Sequence, residues 1–173
     1  MTLAPPPLSE ASSFTAEALI AANIDPDTWL ATDYLNHFNE VVMMLDLLGD
    51  MPELRDEVLA WAPASYQEHF ERSSFRAKAL AIAAYGFAPA AARGPFDALT
   101  SEIDALLLAA QAELASADPK HVARLGPATA AMVQPLLMRL GGLVHGAPGG
   151  SCSQAEDQRA LAANAPPQLE AAP

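Results

Sequence analysis

The sequence predicts an all-α, bundle-like domain, on three grounds. Hydrophobic residues make up 51% of the 173-residue chain but aromatic residues only 6%. The core must therefore be assembled from Leu, Ile, Val, Met and Ala, a mixture that suits helices better than strands. Prolines recur where helices begin, at Asp25-Pro26, Met51-Pro52, Gly94-Pro95 and Asp118-Pro119, because a missing N–H is harmless in the first helical turn. Apolar side chains also repeat at helical spacing along two long segments, and no alternating run marks a strand.

The elements follow in order. A short helix is expected near residues 13–22 and a long one over 26–48. In the latter, Leu30, Tyr34, Phe38, Val41, Leu45 and Leu48 fall within a sector of about 80° at 100° per residue. Gly49 is suited to end it in the left-handed conformation. A helix over 52–61 comes next. Ser65 and Glu68 have the spacing of a capping box, in which each side chain bonds the other residue's backbone N–H, so a helix is expected over 65–71. Helices over 74–86 and 95–115 follow, the second with Phe96, Leu99, Ile103, Leu106, Leu107, Ala110 and Leu114 in a sector of about 100°. The last two expected are 119–125 and 128–144, with a kink at Pro135. This makes about seven or eight helices, two of them long, in a single domain over residues 12–145. Residues 1–11 read as a flexible N-terminus. The Gly/Pro/Ala-rich residues 146–173 have little to bury and read as a disordered tail.

The formal net charge of −12 is unevenly distributed. From Met1 to Glu71 there are thirteen acidic residues and one basic residue, Arg55, whereas residues 72–173 hold eight of each. Such a field repels nucleic-acid phosphates and anionic lipid and attracts basic partners. Residues 125–144 are nearly all apolar but include Arg139, Gln134, Pro127 and Pro135. An arginine near a helix centre costs about 2.5–3.5 kcal/mol on membrane insertion, so a core helix is expected there. Cys152 is the only cysteine, which excludes an intrachain disulfide and a cysteine-based zinc site. The first ten residues lack Lys and Arg and do not read as a secretory signal, so a cytoplasmic location is expected.

No motif with a known catalytic mechanism is present: there is no G-x-S-x-G, no phosphate-cradling glycine loop and no H-E-x-x-H. The leading functional expectation is a non-catalytic adaptor, regulatory or assembly protein that binds another protein or a second copy. Asp46 is the only polar residue between Val41 and Leu48, so apolar side chains surround this end of the helix. Either the helix is central or its outer side is covered by another chain. Met43, Met44 and Leu47 form the expected interaction face, since flexible methionines adapt to partner surfaces.

The alternative is a metal- or cofactor-binding bundle, with or without catalysis. Asp33, His37 and Glu40 stand about one turn apart along one side of a helix, and His69 from another helix would complete the set. Dimetal bundles use Glu-x-x-His pairs, which this chain lacks. A border histidine bonded to Asp33 or Glu40 is the simpler reading, and no cofactor is predicted. Arg72, Arg76 and Lys78 surround an expected helix start at Ser73-Ser74, a candidate anion site. They serve equally as neutralising partners for the acids at 53–57 and 68–71. His121 and His145 flank helix ends; only the C-terminal end, at His145, favours a cationic imidazole.

Overall fold

The protein is described as a computed structural model covering residues 14–146. Residues 1–13 and 147–173 lie outside the described range, and with them the whole of the expected N-terminal segment, nearly all of the expected tail, and Cys152. Within that range the chain forms seven α-helices and two short 3-10 helices, without a β-strand.

The first helix, α1 (Ala16–Ala21), starts at Thr15, whose hydroxyl accepts the Ala18 N–H at 3.2 Å. The segment after it departs from expectation, because Asp25-Pro26 makes a turn and does not open a helix. The Asp25 carboxylate accepts the N–H groups of Asp27 and Thr28 at 3.0 Å each, an Asx-type competition with helix formation. Trp29 then takes a left-handed φ of 62°, and Ile24 bridges Ala31. Burial of Ile24, Leu30 and Ala31 holds this loop in the core. A 3-10 helix (Thr32–Leu35) leads directly into α2 (Asn36–Leu47), so only the second half of the expected long helix is α-helical. All six residues of its apolar stripe are nevertheless buried. Gly49 is not left-handed; among the described glycines only Gly146 has a positive φ. The helix ends instead with the Leu47 carbonyl accepting the N–H groups of Asp50 and Met51.

Next come a 3-10 helix (Pro52–Leu54) and α3 (Arg55–Ala60). The capping box then forms as its spacing predicts: the Ser65 hydroxyl accepts the Glu68 N–H at 3.3 Å and the Glu68 carboxylate accepts the Ser65 N–H at 2.9 Å, opening α4 (Tyr66–Arg72). Helix α5 (Lys78–Phe87) starts later than expected, after a turn.

The two long helices are α6 (Ala90–Leu114) and α7 (Pro119–Val144). Pro95 lies inside α6, not at its start. The bond it forgoes would go to the carbonyl of Ala91, which is an exposed residue that water can serve. Pro119 opens α7 as expected, and Asp118 caps it, accepting the N–H groups of Lys120 and His121. The expected break between 125 and 128 is absent, and α7 continues through Pro127 and Pro135. Its buried face, including Val122, Ala130, Val133 and Leu140, packs against α2 on one side and α6 on the other. That burial offsets the lost hydrogen bonds, since most helical stability in proteins comes from the packed face.

One hydrophobic core runs from Leu19 to Val144, with Tyr34, Phe38, Phe70 and Phe96 as its largest fully buried side chains. Polar ties fix the periphery. Arg55 donates to the carbonyls of Ala115 and Ala117, and the Gln111 amide donates to those of Val58 and Trp61, so α3 is fastened to α6 at both ends. The buried Thr28 hydroxyl donates to the Val144 carbonyl, and Gly146, just after the helix, has a left-handed φ of 71°. His145 caps α7 3.7 Å from Asp25, while His121 bonds Glu113. Among the described residues, no helix is long and apolar enough to cross a membrane.

Candidate functional site

His37 lies in the first turn of α2 and His69 in α4, and the fold brings their rings to 5.7 Å between centroids. His37 stacks on Trp61 at 5.0 Å, and the Trp61 indole N–H donates to the His37 carbonyl at 3.1 Å. The Nε2 of His37 accepts the Ala64 N–H at 3.2 Å. An imidazole that accepts through Nε2 is neutral and carries its proton on Nδ1. Burial, with His69 and Arg72 adding to it, pushes the His37 pKa down to about 4. Burial also lowers that of His69, opposed in part by Asp33.

The other proposed ligands do not join this pair. Glu40 is exposed on α2, and the half-buried Asp33 accepts the Asn23 amide at 3.4 Å. Among the described residues, no three His, Cys, Asp or Glu side chains are grouped so as to hold a metal ion. The small recess of about 250 Å³ beside the two histidines is lined also by Ala64, Arg72 and Ser73. Its His37 Nε2 lone pair is already committed to Ala64, which leaves a poor first-row metal site.

This geometry makes the pair a determinant of acid stability. The unfolded chain takes up a proton on His37 near its ordinary value of 6.5, whereas the fold resists until about 4. The stabilising contribution is therefore complete above pH 6.5 and lost progressively as pH falls toward 4. Discounted for partial exposure of the ring, it amounts to on the order of 1–2 kcal/mol. Urea midpoints of the wild type and His37→Gln, followed from pH 7 to 4, should converge by that amount. Asp104, whose acid is pushed up to about 6 by burial, titrates in both proteins and cancels from the difference. A constant gap across the range would show that His37 does not titrate as described.

The three cations do not form the expected anion site. No helix starts at Ser73-Ser74, because α5 begins at Lys78 behind Ala77. The Lys78 ammonium donates to the carbonyls of Glu71 and Ser73 at 3.2 Å each and so serves the C-terminal end of α4. Arg72 stands 4.0 Å from Glu68 on the same helix, and Arg76 is exposed.

The expected interaction face is divided by the packing. Val41, Val42, Leu45 and Leu48 are buried and Met44 is half-buried against the core, but Met43 is 59% exposed and Leu47 37%. Met43 forms one wall of a groove of about 630 Å³ between α2 and α7. Across it stand Leu137, Met138, the latter 61% exposed, and Gly141. Asn39, Asp46 and Gln134 supply the polar part of the lining. The α7 wall was missed in the sequence because Pro127 and Pro135 divided that segment. Drawn as one helix, α7 places Met138 away from its buried stripe. Comparison of the chain with family models, with curated proteins and with solved structures yields no match, so the functional reading rests on these residues themselves.

Proposed function

We propose that this protein is a non-catalytic adaptor that holds an amphipathic, basic helix of another protein in the groove between α2 and α7. The observation that carries the reading is the pair of long apolar side chains, Met43 and Met138, both more than half exposed on opposite sides of one groove. Their helices are already packed against the core on their other faces, so this surface is surplus to folding. Methionine is unbranched and polarizable and adjusts to a range of apolar partners. A helix presenting residues at i, i+3, i+4 and i+7 is the natural occupant of such a groove.

Charge supports a basic partner over a second copy. Asp46 lines the groove, Glu40 and Asp50 are exposed on or just beyond the same helix, and residues 1–71 carry thirteen acids against one base. A twofold contact through α2 would set each acidic face against its own copy. The solitary Cys152 accords with work in the reducing cytoplasm. The metal-binding alternative retains only the His37–His69 pair.

Fluorescence anisotropy with a synthetic amphipathic helix, leucine on one face and lysine on the other, tests the reading. The Lys peptide should bind at least about tenfold more tightly than the same peptide with Glu for Lys, a difference of about 1.4 kcal/mol. Met43→Glu with Met138→Glu should lose that binding while melting close to the wild type. Equal binding by the double variant, or a dimer in sedimentation that the double variant dissolves, would count against the reading.

A further inference from the structure

A cavity of about 320 Å³ lies between the start of α4 and one face of α6, away from the groove residues. Its aromatic wall contains Tyr34, Tyr66, Tyr85 and Phe96, with Tyr66 and Tyr85 stacked at 4.4 Å. Its polar wall is a single stripe of α6, in which Asp97, Thr100, Ser101 and Asp104 follow at helical spacing. The volume falls at the lower end of the range for small-molecule sites, about 300–1,000 Å³.

The internal hydrogen bonds leave this wall rich in acceptors. Tyr34 donates to the Ala64 carbonyl, Tyr85 to the Asp97 carboxylate and Ser101 to the Asp97 carbonyl. Burial pushes the three phenols up, so they remain protonated. Two polar atoms, Thr100 Oγ1 and Asp104 Oδ1, are out of contact with solvent and have no hydrogen-bond partner among the described residues, a costly arrangement in a folded chain. Burial alone raises the Asp104 acid to about 6. Among the described residues, no Lys, Arg or His lines the cavity. Arg93 stacks over the Tyr85 ring, 5.8 Å from its centroid, without entering the lining. The exposed Asp97 and the half-buried Asp104 thus face one recess with an aromatic wall, and no cation stands in its lining among the described residues.

We propose that this cavity binds a small organic ammonium ion, its charged nitrogen held between Asp97 and Asp104 and its carbons lying on the tyrosine rings. The carboxylates give charge-assisted hydrogen bonds, and the aromatic faces attract the cation through their quadrupoles. The recess and its tyrosine wall are what distinguish this stripe from an ordinary acidic surface. An anion is repelled by the same two carboxylates. A transition metal finds no group of three His, Cys, Asp or Glu side chains here among the described residues. The ammonium belongs either to a free amine or to a lysine side chain of a partner.

Amide-resolved NMR titration of the full chain at pH 7.5 tests the assignment, with 1,4-diaminobutane and Nα-acetyl-lysine amide as cationic probes and 1,4-butanediol as the neutral control. At least one cationic probe should shift Tyr85, Ser101 and Asp104 and bind at least about tenfold more tightly than the diol. Asp104→Asn, which removes a half-buried charge and keeps the shape, should weaken binding by about tenfold or more. Asp50→Asn, an exposed acid with the same effect on net charge, should leave it unchanged. Tighter binding of the diamine identifies a free amine as the source, and tighter binding of the lysine derivative a protein side chain; both support the site. Shifts scattered over the acidic surface, diol binding as tight as amine binding, or equal losses in Asp50→Asn and Asp104→Asn would overturn it.

Discussion

Replacing Phe38 by alanine is expected to destabilise the protein by about 4 kcal/mol, within the 3–5 kcal/mol typical of Phe→Ala in a core. The ring is wholly buried and meets those of Tyr34, His37 and Trp61 at centroid distances of 5.6, 5.0 and 6.2 Å. The neighbours cannot easily close the gap. Tyr34 is held by its bond to the Ala64 carbonyl, and Trp61 by its bond to the His37 carbonyl. A cavity that persists adds its own cost to the lost transfer energy. The urea midpoint should fall with an unchanged slope. Phe38→Leu, which keeps most of the volume, should lose less than half as much. A loss below about 1.5 kcal/mol for the alanine variant would mean that this cluster repacks readily, contrary to its pinned geometry.

Gly126→Ala is the second large effect, and its sign is decided by two opposed terms. Alanine gains up to about 1 kcal/mol over glycine in a helix interior. Here, however, a Cβ would stand 2.5 Å from the Leu45 carbonyl oxygen and 2.7 Å from the Leu48 Cβ. Neither atom is the far end of a flexible side chain, so α2 and α7 must move apart along a well-packed interface. Overpacking of this kind costs about 1–3 kcal/mol, and backbone contact argues for the upper end. A net loss of about 2 kcal/mol should appear as a lower melting temperature. Gly94→Ala has open space around its Cβ and should stay within about 1 kcal/mol of the wild type, the following proline limiting any gain. Equal stabilities of the two variants would show that α2 and α7 are not in the close contact described. The same separation sets the width of the Met43–Met138 groove, so Gly126→Ala should also weaken the Lys peptide.

The two histidine-bearing segments illustrate how much of the site was legible. That His37 and His69 approach each other depends on how α4 docks beside α2, which no spacing within either helix determines. The excess of apolar residues around Met43 and Leu47 was visible, because it is a property of one helix. Its opposite wall was not, because Leu137 and Met138 belong to a helix that two prolines divided on paper. The ammonium cavity was hidden for a similar reason. The polar stripe from Asp97 to Asp104 can be drawn from α6 alone, but Tyr34, Tyr66 and Tyr85 reach it from three other segments.

The sequence by itself determined the all-α class, the Ser65–Glu68 capping box, the helix start at Pro119 and the buried stripes of α2 and α6. Each of these acts within about one helical turn, where a single side chain meets a backbone group or its neighbour at i+3 or i+4. Tertiary structure alone decided that Asp25-Pro26 turns, that Pro95 lies inside α6, and that α7 runs unbroken past Pro127 and Pro135. A proline's penalty is local and of the order of 3 kcal/mol. The burial that outweighs it comes from α2 and α6, whose residues are distant in sequence and adjacent only once the core has formed.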